Sequence, residues 1–135
     1  MVQYRATTMA MKGMVTSPHY LASQAGLSVL KEGGNAIEAA IAMASTIAVV
    51  YPHMNGIGGD NFWLIYNANN GVIKAINGSG RSGKRASIEF YRSKGYETIP
   101  ARGPLAAITV PGAVRGWNVA YQYGQDEMGS TMPWH

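Results

Sequence analysis

Apolar positions near the start of the chain recur at helical spacing. Leu21, Ala25 and Val29 fall on one face, with Ala22, Gly26 and Leu30 beside them, the period of a helix packed along one side. Ser17-Pro18 reads as its start: a hydroxyl able to cap free N–H groups, then proline at the first helical position, where a missing donor costs nothing. Gly33-Gly34 reads as its end. Asn35, with Glu38 three positions on, is a capping-box pattern. Residues 36–50 are then apolar on every side, with alanine dominant, so this second helix is predicted to be buried all round. It falls short of the roughly 20 residues that a membrane span needs, and Tyr51-Pro52 stops it.

The period then changes. Residues 12–16, ahead of the first helix, read as a short strand. Beyond the glycine-rich loop at 55–61, residues 62–66 and 72–77 are β-prone runs flanking turn-forming Asn67-Ala68-Asn69-Asn70-Gly71, which predicts a hairpin. Their continuous apolar character predicts a sheet covered on both faces. Residues 78–104 are irregular, with a short helix around 87–94. Residues 105–110 read as another strand, and Pro111-Gly112 opens a final helix ended by Gly124. Residues 126–135 form no recognisable finish. No repeat or linker interrupts the chain, so residues 1–135 read as one incomplete domain of α+β class.

Composition sharpens that picture. Only 13% of residues are charged while 47% are hydrophobic, against about a quarter charged in an ordinary soluble domain. Part of the surface is therefore expected to be covered by more protein. The net charge of +4 comes from scattered bases, loosely grouped at Arg81, Lys84, Arg85, Arg92, Lys94 and Arg102. Nucleic-acid binding calls for a dense basic stripe with aromatics, so no nucleic-acid partner is expected. The chain has no cysteine, and its three histidines, His19, His53 and His135, lie at no metal-ligand spacing; no metal or other cofactor is expected. Residues 1–15 contain no uninterrupted apolar segment with a cleavage site, which points to a cytoplasmic, non-membrane protein.

Candidate chemistry is sparse. The Gly56-Ile57-Gly58-Gly59 run follows a helix, enters a strand and lacks a P-loop lysine, so it reads as a tight turn rather than a phosphate cradle. Asp60 is suited to orienting a loop, capping backbone N–H groups or facing a substrate. His19 and His53 read as packed or solvated. Threonines at 7, 8, 16, 46, 98, 109 and 131 are present, but none stands at a chain start with its own amine as base. No catalytic residue is assigned. The polar run Asn77-Gly78-Ser79-Gly80-Arg81-Ser82-Gly83 follows a buried strand. Arg81 there is either a solvated loop cation or a fork matched to a carboxylate.

The order of short segments carries more. Ser17-Pro18-His19, Ala25-Gly26, Gly33-Gly34-Asn35-Ala36, Pro52-His53, Gly56-Ile57-Gly58-Gly59, Val110-Pro111-Gly112-Ala113-Val114 and Met132-Pro133-Trp134 together resemble the start of the gamma-glutamyltransferase (glutathione hydrolase) family, from about Met11 to Trp134. The resemblance implies the N-terminal portion of an N-terminal-nucleophile hydrolase, an αββα sandwich of two sheets between helical layers. It also implies a precursor that cuts itself into a hetero-oligomer of large and small subunits. The expected substrates are gamma-glutamyl compounds such as glutathione, cleaved by acyl transfer to a threonine outside this chain. The chain's partners would be the remaining large-subunit and small-subunit chain, and this piece alone would be inactive. In the family an arginine just after the strand grips the substrate's α-carboxylate. Counting from Ala75-Ile76, that position falls on Ser79, with Arg81 two places later as the residue suited to take over substrate binding. Such a departure resembles a divergent branch with amidases and cephalosporin acylases, and those activities stand as alternatives, beside a non-catalytic interaction module.

Overall fold

Helix α1, Tyr20–Lys31, begins where His19 turns extended and its carbonyl accepts from the N–H groups of Ala22 and Ser23. The structure, a computed structural model, describes residues 7–129 and 132–134. The predicted start at Ser17-Pro18 lies too early. His19 is the cap, its Nδ1 accepting the Leu21 N–H at 3.3 Å, while Ser17 Oγ donates to the His19 carbonyl at 2.7 Å. Pro18 stands outside the helix. At the other end Gly33 takes φ 94° and the Gly34 N–H reaches the Val29 carbonyl at 2.9 Å, a closure that only glycine makes without strain.

Helix α2, Ala36–Val50, carries the predicted capping box. Asn35 Oδ1 accepts from Ile37 and Glu38, and Glu38 Oε2 accepts the Asn35 N–H at 2.6 Å. Helices α1 and α2 pack closely because Gly26 leaves no side chain between them; a Cβ there would stand 2.6 Å from Met43 Sδ. Within this chain α2 is not buried all round: Ile37, Glu38 and Ala39 are buried, whereas Val49 is exposed. Among the described residues no helix is long and apolar enough to cross a membrane.

Strands β1, Asn61–Asn67, and β2, Val72–Gly78, form the predicted antiparallel hairpin, in register from Asn61 opposite Gly78 to Asn67 opposite Val72. Its turn is closed by the Gly71 N–H on the Asn67 carbonyl at 2.8 Å, with Gly71 at φ 71°. Alternation puts Trp63, Ile65 and Ile76 inward, where they meet Ile37 of α2 and Ala120 of the last helix. The opposite face is bare: Phe62, Leu64, Tyr66 and Ile73 are 70, 78, 63 and 65% exposed. The two-sided cover predicted from the apolar runs is therefore not supplied by the described residues, because none of them stacks on that face.

Two predicted strands do not form among the described residues. Residues 12–16 pair with no strand; Gly13 instead lies against Leu30 of α1. Residues 105–110 give a 3-10 turn, Pro104–Ala106, and then a single bridge, Thr109 to Ser82. The neighbouring chain that could pair with them is the short stretch 81–83, too short for a ladder. Helix α3, Ile88–Ser93, is capped by Ser87 Oγ, which accepts from Phe90. Glu89 in its first turn is held below the usual carboxylate range by its own backbone hydrogen bond and then by Ser87.

Helix α4, Ala113–Met128, runs past the predicted stop at Gly124 and ends at Gly129, φ 68°. Gly124 lies buried inside it, with Ala113, Gly116 and Ala120. This small-residue stripe lets α4 lie across α2 and both strands. Residues 132–134 are also tied to the helices, which the sequence did not reveal. The Met132 N–H donates to Glu38 Oε1 at 2.8 Å, Tyr121 donates to the Met132 carbonyl at 2.6 Å, and Trp134 packs on the Tyr121 ring. Residues 1–6, 130, 131 and 135 lie outside the described residues, and with them part of the 1–15 segment, one candidate threonine and one imidazole.

Candidate functional site

The glycine loop, the end of β2 and the start of α4 are tied together by backbone. The Gly59 carbonyl accepts from both Gly112 and Ala113 at 3.0 Å, which fixes the first turn of α4 on the loop. Asn61 Nδ2 donates to the Ala113 carbonyl at 2.6 Å, while its buried Oδ1 has no hydrogen-bond partner among the described residues. That oxygen lies against Gly78 and Gly116, where any Cβ would collide with it. Asn61 can occupy this position only because two glycines vacate it.

Asp60 and Arg81 belong to the same knot. Asp60 Oδ1 accepts the Gly80 N–H at 2.9 Å, so it caps a backbone N–H and thereby orients the loop. The Arg81 carbonyl accepts from Val110 N–H at 2.8 Å, and Gly83 N–H donates to Ile108 at 2.8 Å. Gly80 passes so close to Val110 that a Cβ would stand 2.7 Å from the Val110 carbonyl carbon. The Arg81 backbone is thereby held on both sides.

Around this knot opens a cleft of about 330 Å³. Its wall includes Asn77, Ser79 and Val119, its floor the backbone of Gly78, Gly80, Gly112 and Gly116, and its charges Arg81 and Arg115. None of its lining residues is acidic. Ser79 and Arg81 therefore both line the same space. The other bases of the loose cluster do not line the cleft. Arg115 was not singled out by sequence reasoning. The signal that could have found it is a cation in a helix's first turn, where the macrodipole disfavours positive charge.

The remaining candidates lie elsewhere. His19 is a helix cap stacked on Tyr20, and the His53 ring sits 4.1 Å from that of Tyr51; neither lines the cleft. Among the described residues no group of three or more His, Asp or Glu side chains is placed to hold a metal. A larger cavity of about 490 Å³ between α1, α2, α4 and the tail has Glu38 as its acidic group, and that carboxylate is engaged by the Asn35 and Met132 backbone.

The frame of paired helices, hairpin and covering helix is the N-terminal part of an N-terminal-nucleophile hydrolase. It superposes on Helicobacter pylori gamma-glutamyltranspeptidase with a TM-score of 0.77 at 34% identity, covering 87% of this chain and 34% of that one. On cephalosporin acylase from Bacillus halodurans the TM-score is 0.73 at 41% identity, covering 84% of this chain and 20% of that one. The sequence model of the family described as Gamma-glutamyltranspeptidase matches residues 22–135, and the chain belongs to that family. It is 54% identical over 115 residues to the glutathione hydrolase-like YwrD proenzyme of Bacillus subtilis, covering 84% of this chain. It is 52% identical over 121 residues to the oxamate amidohydrolase proenzyme of Klebsiella pneumoniae, covering 90% of this chain. The chain spans 22% of the length of each of these two relatives.

Proposed function

We propose that this chain is the N-terminal part of a gamma-glutamyltransferase-like hydrolase, in which Arg81 grips the carboxylate of the acyl donor. The observation that carries the reading is the placement of Arg81: its backbone is pinned by Val110 and Asp60-bound Gly80, at the wall of a glycine-floored cleft just past β2. A guanidinium offers paired N–H donors that match a carboxylate in bidentate geometry. The nucleophile is a threonine hydroxyl supplied by protein outside this chain. It attacks the gamma-glutamyl amide carbonyl, its own amine takes the proton, and the leaving amine departs protonated. Backbone donors near that threonine hold the oxyanion. Water or an acceptor amine then breaks the acyl ester and restores the hydroxyl. In the whole protein the bare face of Phe62, Leu64 and Tyr66 is covered by the second sheet of the sandwich.

A related amidase or acylase activity is favoured by one specific observation. Ser79 stands where family resemblance places the carboxylate-binding arginine, and the oxamate amidohydrolase of Klebsiella pneumoniae is 52% identical to this chain. The test uses the full-length protein with a chromogenic gamma-glutamyl anilide. Arg81→Ala should raise KM by about tenfold or more, the loss of a charge-assisted pair, and Arg81→Lys should restore only part. Equal kinetics in all three proteins remove Arg81 from the site. No turnover of that anilide by the wild type, with turnover of oxamate, selects the alternative.

A further inference from the structure

We infer that Arg115 is a second substrate-binding residue of this cleft, and that its guanidinium and that of Arg81 together take the terminal carboxylate of the acyl donor. The inference rests on the reading of the cleft as the donor site. Arg115 lies in the first turn of the sixteen-residue helix α4, a turn with no acidic residue. A cation there opposes the helix macrodipole, an arrangement that favours an anion close by. Arg81 faces the same cleft from the other side of the knot, and no lining carboxylate neutralises either one. Two arginines and the first turn of α4 therefore border one space of about 330 Å³, near the lower limit for small-molecule pockets. A carboxylate has about four lone-pair sites and accepts from two forks at once. Places where a local rule of helix electrostatics is broken are where function is to be expected.

The experiment uses the full-length processed protein and two anilide donors, gamma-glutamyl and glutaryl, which share the acyl chain and carboxylate and differ by the ammonium group. Arg115→Ala should raise KM for both donors by a similar factor of about tenfold or more, with kcat changed little. Arg115→Lys should recover part of the loss, and Arg85→Ala, outside the cleft, should change nothing. A KM unchanged within about twofold, or a rise confined to the gamma-glutamyl donor, overturns the assignment. Glutarate binding followed by calorimetry decides the matter without turnover. Saturable binding weakened about tenfold by Arg115→Ala supports the site; binding equal in both proteins, or absent from the wild type, defeats it. A wild type that binds glutarate but cleaves neither donor refutes the proposed activity and leaves the anion site standing.

Discussion

Gly80→Ala tests directly whether the cleft depends on the crossing of residues 79–81 with residues 108–110. A Cβ at position 80 would lie 2.7 Å from the Val110 carbonyl carbon and closer still to its oxygen. The neighbour is backbone, so neither segment relieves the overlap by a rotamer change and the two must separate. Moving Gly80 clear of Val110 strains two hydrogen bonds: Gly80 N–H to Asp60 Oδ1 at 2.9 Å, and Val110 N–H to the Arg81 carbonyl at 2.8 Å. The first, to a carboxylate, is worth about 1.5–3 kcal/mol and the second about 1 kcal/mol. Overpacking elsewhere costs about 1–3 kcal/mol. Breaking one of the two bonds suffices to relieve the clash, so the expected loss is about 2–4 kcal/mol, felt as a displaced Arg81 as much as a lower global stability. Gly83→Ala is the control, since a Cβ there meets the Ile108 carbonyl at an ordinary 3.8 Å. The two variants are compared by denaturant unfolding and by KM for an anilide donor, in the full-length protein. Gly80→Ala should unfold at lower denaturant and bind donor about tenfold or more weakly, while Gly83→Ala stays within about 0.5 kcal/mol of the wild type. If both variants behave alike in both assays, the crossing does not hold the cleft.

Three further outcomes follow from the packing. Glu38→Gln leaves one of two backbone N–H groups, of Asn35 or Met132, facing an amide NH₂, and should lower unfolding stability by about 1–3 kcal/mol; no change would mean the tail is not held there. Leu64→Asp should cost the whole protein about 2–5 kcal/mol in a denaturant titration if a second sheet covers this face, and under about 0.5 kcal/mol if it stays as open as it is in this chain. Ser87→Ala should move the Glu89 titration, followed by NMR, upward but not fully back, because the larger cause of its lowered pKa is backbone. A carboxyl with a lowered folded pKa stabilises above its unfolded value and loses that contribution as pH falls through the folded one; an unmoved titration in the variant refutes the Ser87 contact.

Helix starts and stops were legible where one local residue decides them. The Asn35–Glu38 box and the Gly33 stop depend on side-chain and φ preferences that act within four residues, and both stand as predicted. So does the hairpin, whose turn chemistry at 67–71 is equally local. The start of α1 was misplaced because Ser17-Pro18 and His19 compete for the same role, and only the path of the chain into the helix selects His19. Arg81 could be named but not placed: a solvated loop cation and a cleft arginine have the same neighbours in sequence.

The family, the helix pair and the hairpin were readable from the residues alone, because each rests on ordered short motifs or near-neighbour preferences. The knot of Gly59, Asp60, Asn61, Gly80 and Val110, and with it the shared cleft of Arg81 and Arg115, emerges only once the segments pack. Contact range separates the two. Arg81 and Arg115 are separated by more than thirty residues along the chain, and their meeting depends on backbone hydrogen bonds and glycine clearances between segments that have no preference for one another until the core of Ile37, Ile65 and Ala120 has formed.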